Sequence, residues 1–215
     1  MTLHVHGSLI SDGTAIETPY SDSQWVVMKF GGTSVAAAEN WPTIERLLRE
    51  RLDDGERPLL CLSALAGVSN ALLELIDAAT SGADVESKLA NIEQTHAALA
   101  DELSISVAVL DEFFATLRQL VNGVRLVGEA GLRVHARIMS IGELAATALA
   151  AEFLRSRGLD VAWRNATELL TSVSERDNSE RAAFLAARCE FSADAGLQQK
   201  LADSRGIVLT QGFIA

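Results

Sequence analysis

Apolar positions in this chain fall into two kinds of pattern: short unbroken runs, and longer stretches where they recur every three or four residues. Four runs are of the first kind: "QWVVMKF" (24–30), "RPLLCLSAL" (57–65), "LDVAWRN" (159–165) and "GIVLTQGFIA" (206–215). Their length and their valine, leucine and aromatic content predict strands, and the lack of alternation in 57–65 predicts cover on both faces. A helical pattern follows Gly31–Gly32 and is interrupted at Pro42. Asn40 stands just ahead, so a new helix is expected to start there, with Pro42 in its first turn and Ile44, Leu47, Leu48 and Leu52 on one face. Further helices are predicted over 70–79, over 86–128 with polar breaks, over 141–156 with Gly158 as a cap, and over 195–203. Residues 171–194 are polar and ambiguous. Residues 1–24, rich in Ser, Thr, Asp and Gly without a sustained period, read as a flexible extension ahead of one domain over 25–215.

Strands separated by helices imply parallel pairing through crossovers. The expected class is α/β, an αβα sandwich around a mainly parallel sheet. An apolar fraction of 48% over 215 residues is enough for the core of such a domain. The formal charge of −11 argues against nucleic acid or an acidic membrane as partner, and it means that an anionic substrate needs a local positive site or a metal ion. No apolar run is long enough for a transmembrane helix, and "MTLHVHGSLI" lacks the basic region and apolar core of a secretory signal. Cys61 and Cys189 offer no disulfide framework, and Cys61, inside an apolar run, is expected as a buried reduced thiol. A cytoplasmic setting fits these features. The histidines at 4, 6, 96 and 135 show no metal-ligand spacing beyond His4-x-His6, so no metal site is expected, and no Ser-His-Asp or Cys-His nucleophile is evident.

Ligands of parallel α/β sheets collect where strands end at their carboxyl sides. At "KFGGTS" (29–34), Gly31 and Gly32 let the backbone turn sharply and approach a bulky anion, Thr33 and Ser34 can cap the next helix, and Lys29 adds a full positive charge. The pattern is not a P-loop, and an ordinary strand–turn–helix corner with a solvated lysine carries equal weight. At "LSALAGVSN" (62–70), Ser63 and Ser69 could bind a small polar ligand, though a turn with Ser69 capping a helix is favoured. "SIGELAAT" (140–147) places Glu143 in the first turn of an apolar helix, where it either complements the helix N-terminus or faces a cleft to bind an ammonium group.

Together, and in this order, "KFGGTSV" (29–35), "LSALAGVSN" (62–70), "SIGE" (140–143) followed by "LAAEFLRSRGLDV" (149–161), and "VLTQGFI" (208–214) resemble the aspartate kinases of the amino acid kinase superfamily. The resemblance implies the amino-terminal lobe of the amino acid kinase fold. It also implies transfer of the ATP γ-phosphoryl to the side-chain carboxylate of L-aspartate, the first step towards lysine, threonine and methionine, with Mg²⁺ carried by ATP. Lys29 would contact the transferring phosphoryl. Phe30, Gly31, Gly32, Thr33 and Ser34 would line the nucleotide's path. Glu143 would hold the substrate ammonium, and Ser63, Ser69 and Phe213 would border the same pocket. Ser69 stands where the family usually has threonine, and Ala146 where it often has serine. The family continues beyond "TQGFI" into a "GRGGSD"-like stretch bearing an arginine and an aspartate for the reaction, so this chain reads as an amino-terminal portion, inactive by itself. Its parent could be fused to a diaminopimelate decarboxylase. A glutamate or acetylglutamate kinase, or a non-catalytic module that uses 86–156 as a homo-oligomer face, are the rival readings.

Overall fold

The computed structural model describes residues 23–170, 192, 194–202 and 204–212. All but the last two residues of the expected extension 1–24, all but Ser192 and Asp194 of the ambiguous stretch 171–194, and with them His4, His6 and Cys189, as well as Phe213, lie outside these residues. Four strands, β1 (Trp25–Phe30), β2 (Arg57–Leu62), β3 (Val161–Trp163) and β4 (Ile207–Gln211), form one parallel sheet in the order β1-β2-β4-β3. The helices are α1 (Gly32–Ala36), α2 (Trp41–Asp53), α3 (Val68–Ser81), α4 (Val85–Glu102), α5 (Asp111–Val127), α6 (Leu132–Ser156), α7 (Ala166–Leu169) and α8 (Ala195–Ala202).

Alternation along each strand divides the sheet into two faces. Val26, Met28 and Phe30 of β1, Leu60 and Leu62 of β2, and Ile207 and Leu209 of β4 join the main core with α2 to α6. Trp41 of α2 meets Phe153 of α6 edge-on at 5.3 Å between ring centroids, which places both helices on this face. Val208, Trp25 and Leu59 point the other way and pack with Leu169 of α7 and with Leu197 and Leu201 of α8. The sheet is therefore covered on both sides, as its apolar runs required.

The predicted strands are trimmed by the structure. The second ends at Leu62 and the third spans only Val161–Trp163. The flanking Ser63, Asp160 and Arg164 still bond the neighbouring strands, through Ser63 N–H to the Phe30 carbonyl, Ile207 N–H to the Asp160 carbonyl and Arg164 N–H to the Leu209 carbonyl. Asn40 precedes α2 with Pro42 in the first turn, as expected, but its side chain does not cap. Its Nδ2 donates to the Ser34 carbonyl at 3.0 Å. The stripes of α4 (Leu89, Ile92, Leu99) and α5 (Leu117, Val121, Val124) are buried in the main core of the same chain. No helix among the described residues is long and apolar enough to cross a membrane.

His96 of α4 is fully buried. Its Nδ1 bonds the Ile92 carbonyl at 2.8 Å, so the neutral ring donates from Nδ1, and Phe114 lies edge-on at 5.4 Å. Burial pushes its pKa down, against an opposing pull from the Ile92 and Gly142 carbonyls. The sign follows from proton counting. Below about 6.5 the unfolded chain takes up a proton that the folded chain resists, so stability is full above that pH and falls as pH drops through it. Denaturant melts of the chain at pH 7.5 and pH 5.5 are expected to show this loss, at most about tenfold in the folding constant per pH unit. His96→Gln is expected to flatten the part due to this ring, and an identical pH slope in that variant would contradict the assignment.

Candidate functional site

β1 and β2 end side by side, with Lys29 opposite Cys61 and Phe30 opposite Leu62. Their exits turn into α1 and α3 and enclose a cleft of about 630 Å³. It is lined by Lys29, Gly32, Thr33, the 63–67 loop, Ser69, Met139, Glu143 and Gly212. Six sequence candidates thus converge: Lys29, Gly32, Thr33, Ser63, Ser69 and Glu143. Phe30, Gly31 and Ser34 do not line it. Phe30 packs on the main core. Gly31 is the N-cap residue of α1, and its carbonyl accepts from the Ser34 and Val35 N–H groups at 2.9 and 3.2 Å. The Ser34 carbonyl is held by Asn40.

Three expectations about caps are corrected. Thr33 and Ser34 lie inside α1, and no side chain caps that five-residue helix. Ser69 lies inside α3. The N-cap there is Gly67, at φ +83°, a left-handed backbone that disfavours any other residue. Glu143 is not in a first turn. α6 begins at Leu132, about three turns earlier. The apolar period continues upstream through Val134 and the buried Ile138, which draws the helix start back to Gly131. Helix-terminus stabilisation therefore does not explain Glu143.

What holds Glu143 is the end of β4. The side chain is 7% exposed, and its Oε2 accepts the Gly212 N–H at 3.1 Å. Gly212 is also the point that brings Lys29 close. A Cβ built there would stand 3.6 Å from Lys29 Cε and 3.1 Å from Cys61 Sγ. One glycine thus separates a cationic stem from a buried carboxylate. Gly32 makes a comparable approach on the other wall, where a Cβ would fall 2.6 Å from the Ala64 carbonyl oxygen. Its need for glycine comes from contact between two strand exits. Gly142 lets α6 lie on α3, since a Cβ would meet Leu72, Val68 and Ala64 at 3.1–3.2 Å.

Cys61 is free but only partly buried, unlike the buried thiol expected. It sits on the thinly covered face, beside Lys29. Burial pushes its pKa up, Lys29 opposes this, and Glu143 adds to it. At neutral pH it is a thiol rather than a nucleophile.

Among the described residues no three His, Cys, Asp or Glu side chains gather into a metal cage. The cleft therefore presents one ammonium, one carboxylate, hydroxyls from Thr33, Ser63 and Ser69, and a glycine-rich rim. Gly212 and Met139 were missed by sequence reasoning. "TQGF" signalled the first, while nothing in the sequence singled out the second.

A family model described as the amino acid kinase family matches residues 24–215. Aspartokinase 3, chloroplastic, of Arabidopsis thaliana is 35% identical over 61% of this chain and 24% of its own length. Lysine-sensitive aspartokinase 3 of Escherichia coli is 30% identical over 89% of this chain and 41% of its own length. The crystal structure of E. coli aspartokinase III with lysine and aspartate superposes with a TM-score of 0.69 at 26% identity, over 89% of this chain and 41% of that one. The structure of the same enzyme with aspartate and ADP gives 0.64 at 25%, over 88% and 40%. This chain spans less than half the length of these relatives.

Proposed function

Because this chain belongs to the amino acid kinase family, we propose that it carries the phosphoryl-transfer and amino-acid-binding walls of an aspartate kinase. The observation that carries this reading is the meeting of Lys29 and Glu143 across Gly212 in one cleft.

In the proposed reaction a side-chain carboxylate oxygen of L-aspartate attacks the γ-phosphorus of ATP. The bond to the β–γ bridging oxygen breaks, and ADP and 4-phospho-L-aspartate result. Neither reactant needs deprotonation at neutral pH, so the protein's work is positioning and charge stabilisation. Lys29 offsets negative charge gathering on the transferring oxygens, and the chain's acidity makes this local cation necessary. Gly32 and Thr33 border the phosphate path. Glu143, a carboxylate in a largely dry setting, pairs with the substrate's α-ammonium and so orients the distal carboxylate towards Lys29. Ser63 and Ser69 supply hydroxyls to the substrate's polar groups. Mg²⁺ would arrive on the triphosphate, where it neutralises charge. Aspartate as substrate is supported by relatives named aspartokinase and by the likeness to an enzyme crystallised with aspartate and ADP.

The test is a kinase assay of the intact gene product with ATP, Mg²⁺ and a panel of L-aspartate, L-glutamate and N-acetyl-L-glutamate, trapping the acyl phosphate with hydroxylamine. Hydroxamate formed with aspartate well above the others is the expected result. Equal or greater product from another acid would remove the aspartate assignment. No acyl phosphate from any of them would remove the kinase reading.

A further inference from the structure

Directly behind Glu143, one helical turn along α6, lies a buried polar hub with no contact to the cleft. Thr147 is fully buried, and its Oγ1 is saturated. It donates to the Glu143 carbonyl at 2.8 Å, with the Leu144 carbonyl at 3.1 Å. It accepts from Gln211 Nε2 at 2.8 Å and from Trp163 Nε1 at 2.9 Å. A hydroxyl has one proton and two lone pairs, so nothing is left over. Gln211 is 2% exposed, and both ends of its amide are bonded. Its Oε1 accepts the Ala166 N–H at 2.8 Å while Nε2 goes to Thr147, which fixes the orientation of the amide.

The next residue along β4 is Gly212, whose N–H holds the Glu143 carboxylate. Consecutive residues at the end of β4 therefore grip α6 at consecutive turns, Gln211 at Thr147 and Gly212 at Glu143. Helix residues four apart share a face, so this is a two-point clamp on one stripe of α6. A single bond at Gly212 would leave the strand end free to pivot. The second bond removes that freedom, and Trp163 and Ala166 tie the exit of β3 to the same point. Buried polar groups cost desolvation unless they are bonded, and the Thr147 hydroxyl, both ends of the Gln211 amide and the Trp163 N–H each have a partner.

We infer that Thr147, Gln211 and Trp163 form a positioning network that sets the depth and direction of the Glu143 carboxylate, and hence the affinity for the amino-acid substrate. This rests on Glu143 being the substrate-ammonium ligand proposed above. None of the three residues lines the cleft.

Thr147→Val keeps the shape and removes all the bonds. Thr147→Ser restores the hydroxyl. Gln211→Met breaks the clamp from the strand side and serves if the valine variant does not fold. In the intact gene product, Thr147→Val or Gln211→Met is expected to raise KM for the amino-acid substrate by on the order of tenfold, with KM for ATP and kcat changed by less than about threefold. Thr147→Ser is expected to recover most of the loss. Hydrogen exchange gives a readout independent of turnover: the Gly212 and Ala166 amides are expected to exchange faster in both disrupting variants while those of Leu209 and Leu60 stay protected. Unchanged exchange at Gly212, or equal losses in both KM values and kcat, would overturn the inference. If the wild-type protein proves not to phosphorylate aspartate, the exchange experiment still decides whether the clamp exists, so the two failures are distinguishable.

Discussion

Lys29→Ala in the intact gene product is expected to lower kcat for phosphoryl transfer by about a thousandfold or more, with little change in the melting temperature. The asymmetry comes from where the residue stands. Lys29 is exposed at the end of β1, one of the two outer strands among the described ones, and it belongs to neither apolar cluster. Removing it takes nothing from the core. It is, however, the only cationic side chain lining the cleft among the described residues, in a chain of net charge −11. Without it, charge building on the transferring oxygens meets only backbone dipoles and hydroxyls. Lys29→Arg is expected to recover a small part of the loss, since a planar guanidinium is not a compact ammonium on a flexible stem. Single-turnover kinetics with circular dichroism on the same samples checks both halves. Turnover within about tenfold of wild type in a folded Lys29→Ala protein would remove the lysine from the chemistry.

Glu143→Gln is the second large expectation. Glutamine keeps the volume and an oxygen that can still accept the Gly212 N–H, so the fold is expected to hold. It removes the negative charge that would pair with the substrate's ammonium. Bonds between charged groups are worth roughly 1.5–3 kcal/mol, which corresponds to a rise of about ten- to a hundredfold in KM for the amino acid, with KM for ATP near its wild-type value. Glu143→Ala is expected to do further damage. It leaves the Gly212 N–H without its acceptor and so costs stability as well, on the order of 1–3 kcal/mol. Initial rates over a matrix of aspartate and ATP concentrations separate the effects. An unchanged KM for aspartate in Glu143→Gln would assign the carboxylate to structure alone, with the substrate ammonium bound elsewhere.

These expectations differ in how visible their basis was along the chain. The strands were legible because an apolar run bounded by glycine has few alternatives in a mixed sequence. Their exits were legible as candidate sites for the same reason: small and hydroxylic residues concentrate where a buried strand meets a surface turn. Lys29, Gly32, Ser63 and Ser69 were found by that rule. Glu143 was found by its place in "SIGE" and given the wrong local context, since a helix's apolar period does not announce its first turn when it starts within a weakly apolar stretch such as 132–138. The caps failed in a similar way. Thr33, Ser34 and Ser69 have the chemistry of caps, but the cap positions fall at Gly31 and Gly67, and at Gly67 the left-handed backbone (φ +83°) disfavours a hydroxyl residue.

The sequence by itself determined the four strands and the main helices, that the strands run parallel within an αβα sandwich, and that a lysine and a glycine pair stand at a strand exit, because these depend on periodicity and on residues close together in the chain. The tertiary structure alone decided that Gly212 lies between Lys29 and Glu143, that Gly32 is required by the Ala64 carbonyl, and that Gln211 reaches Thr147, 64 residues away in the chain. Those pairings come from strand order and from how α6 seats on the sheet. Local pattern does not encode which distant backbone N–H will be left without a ladder partner, and it is at such groups that the site is assembled.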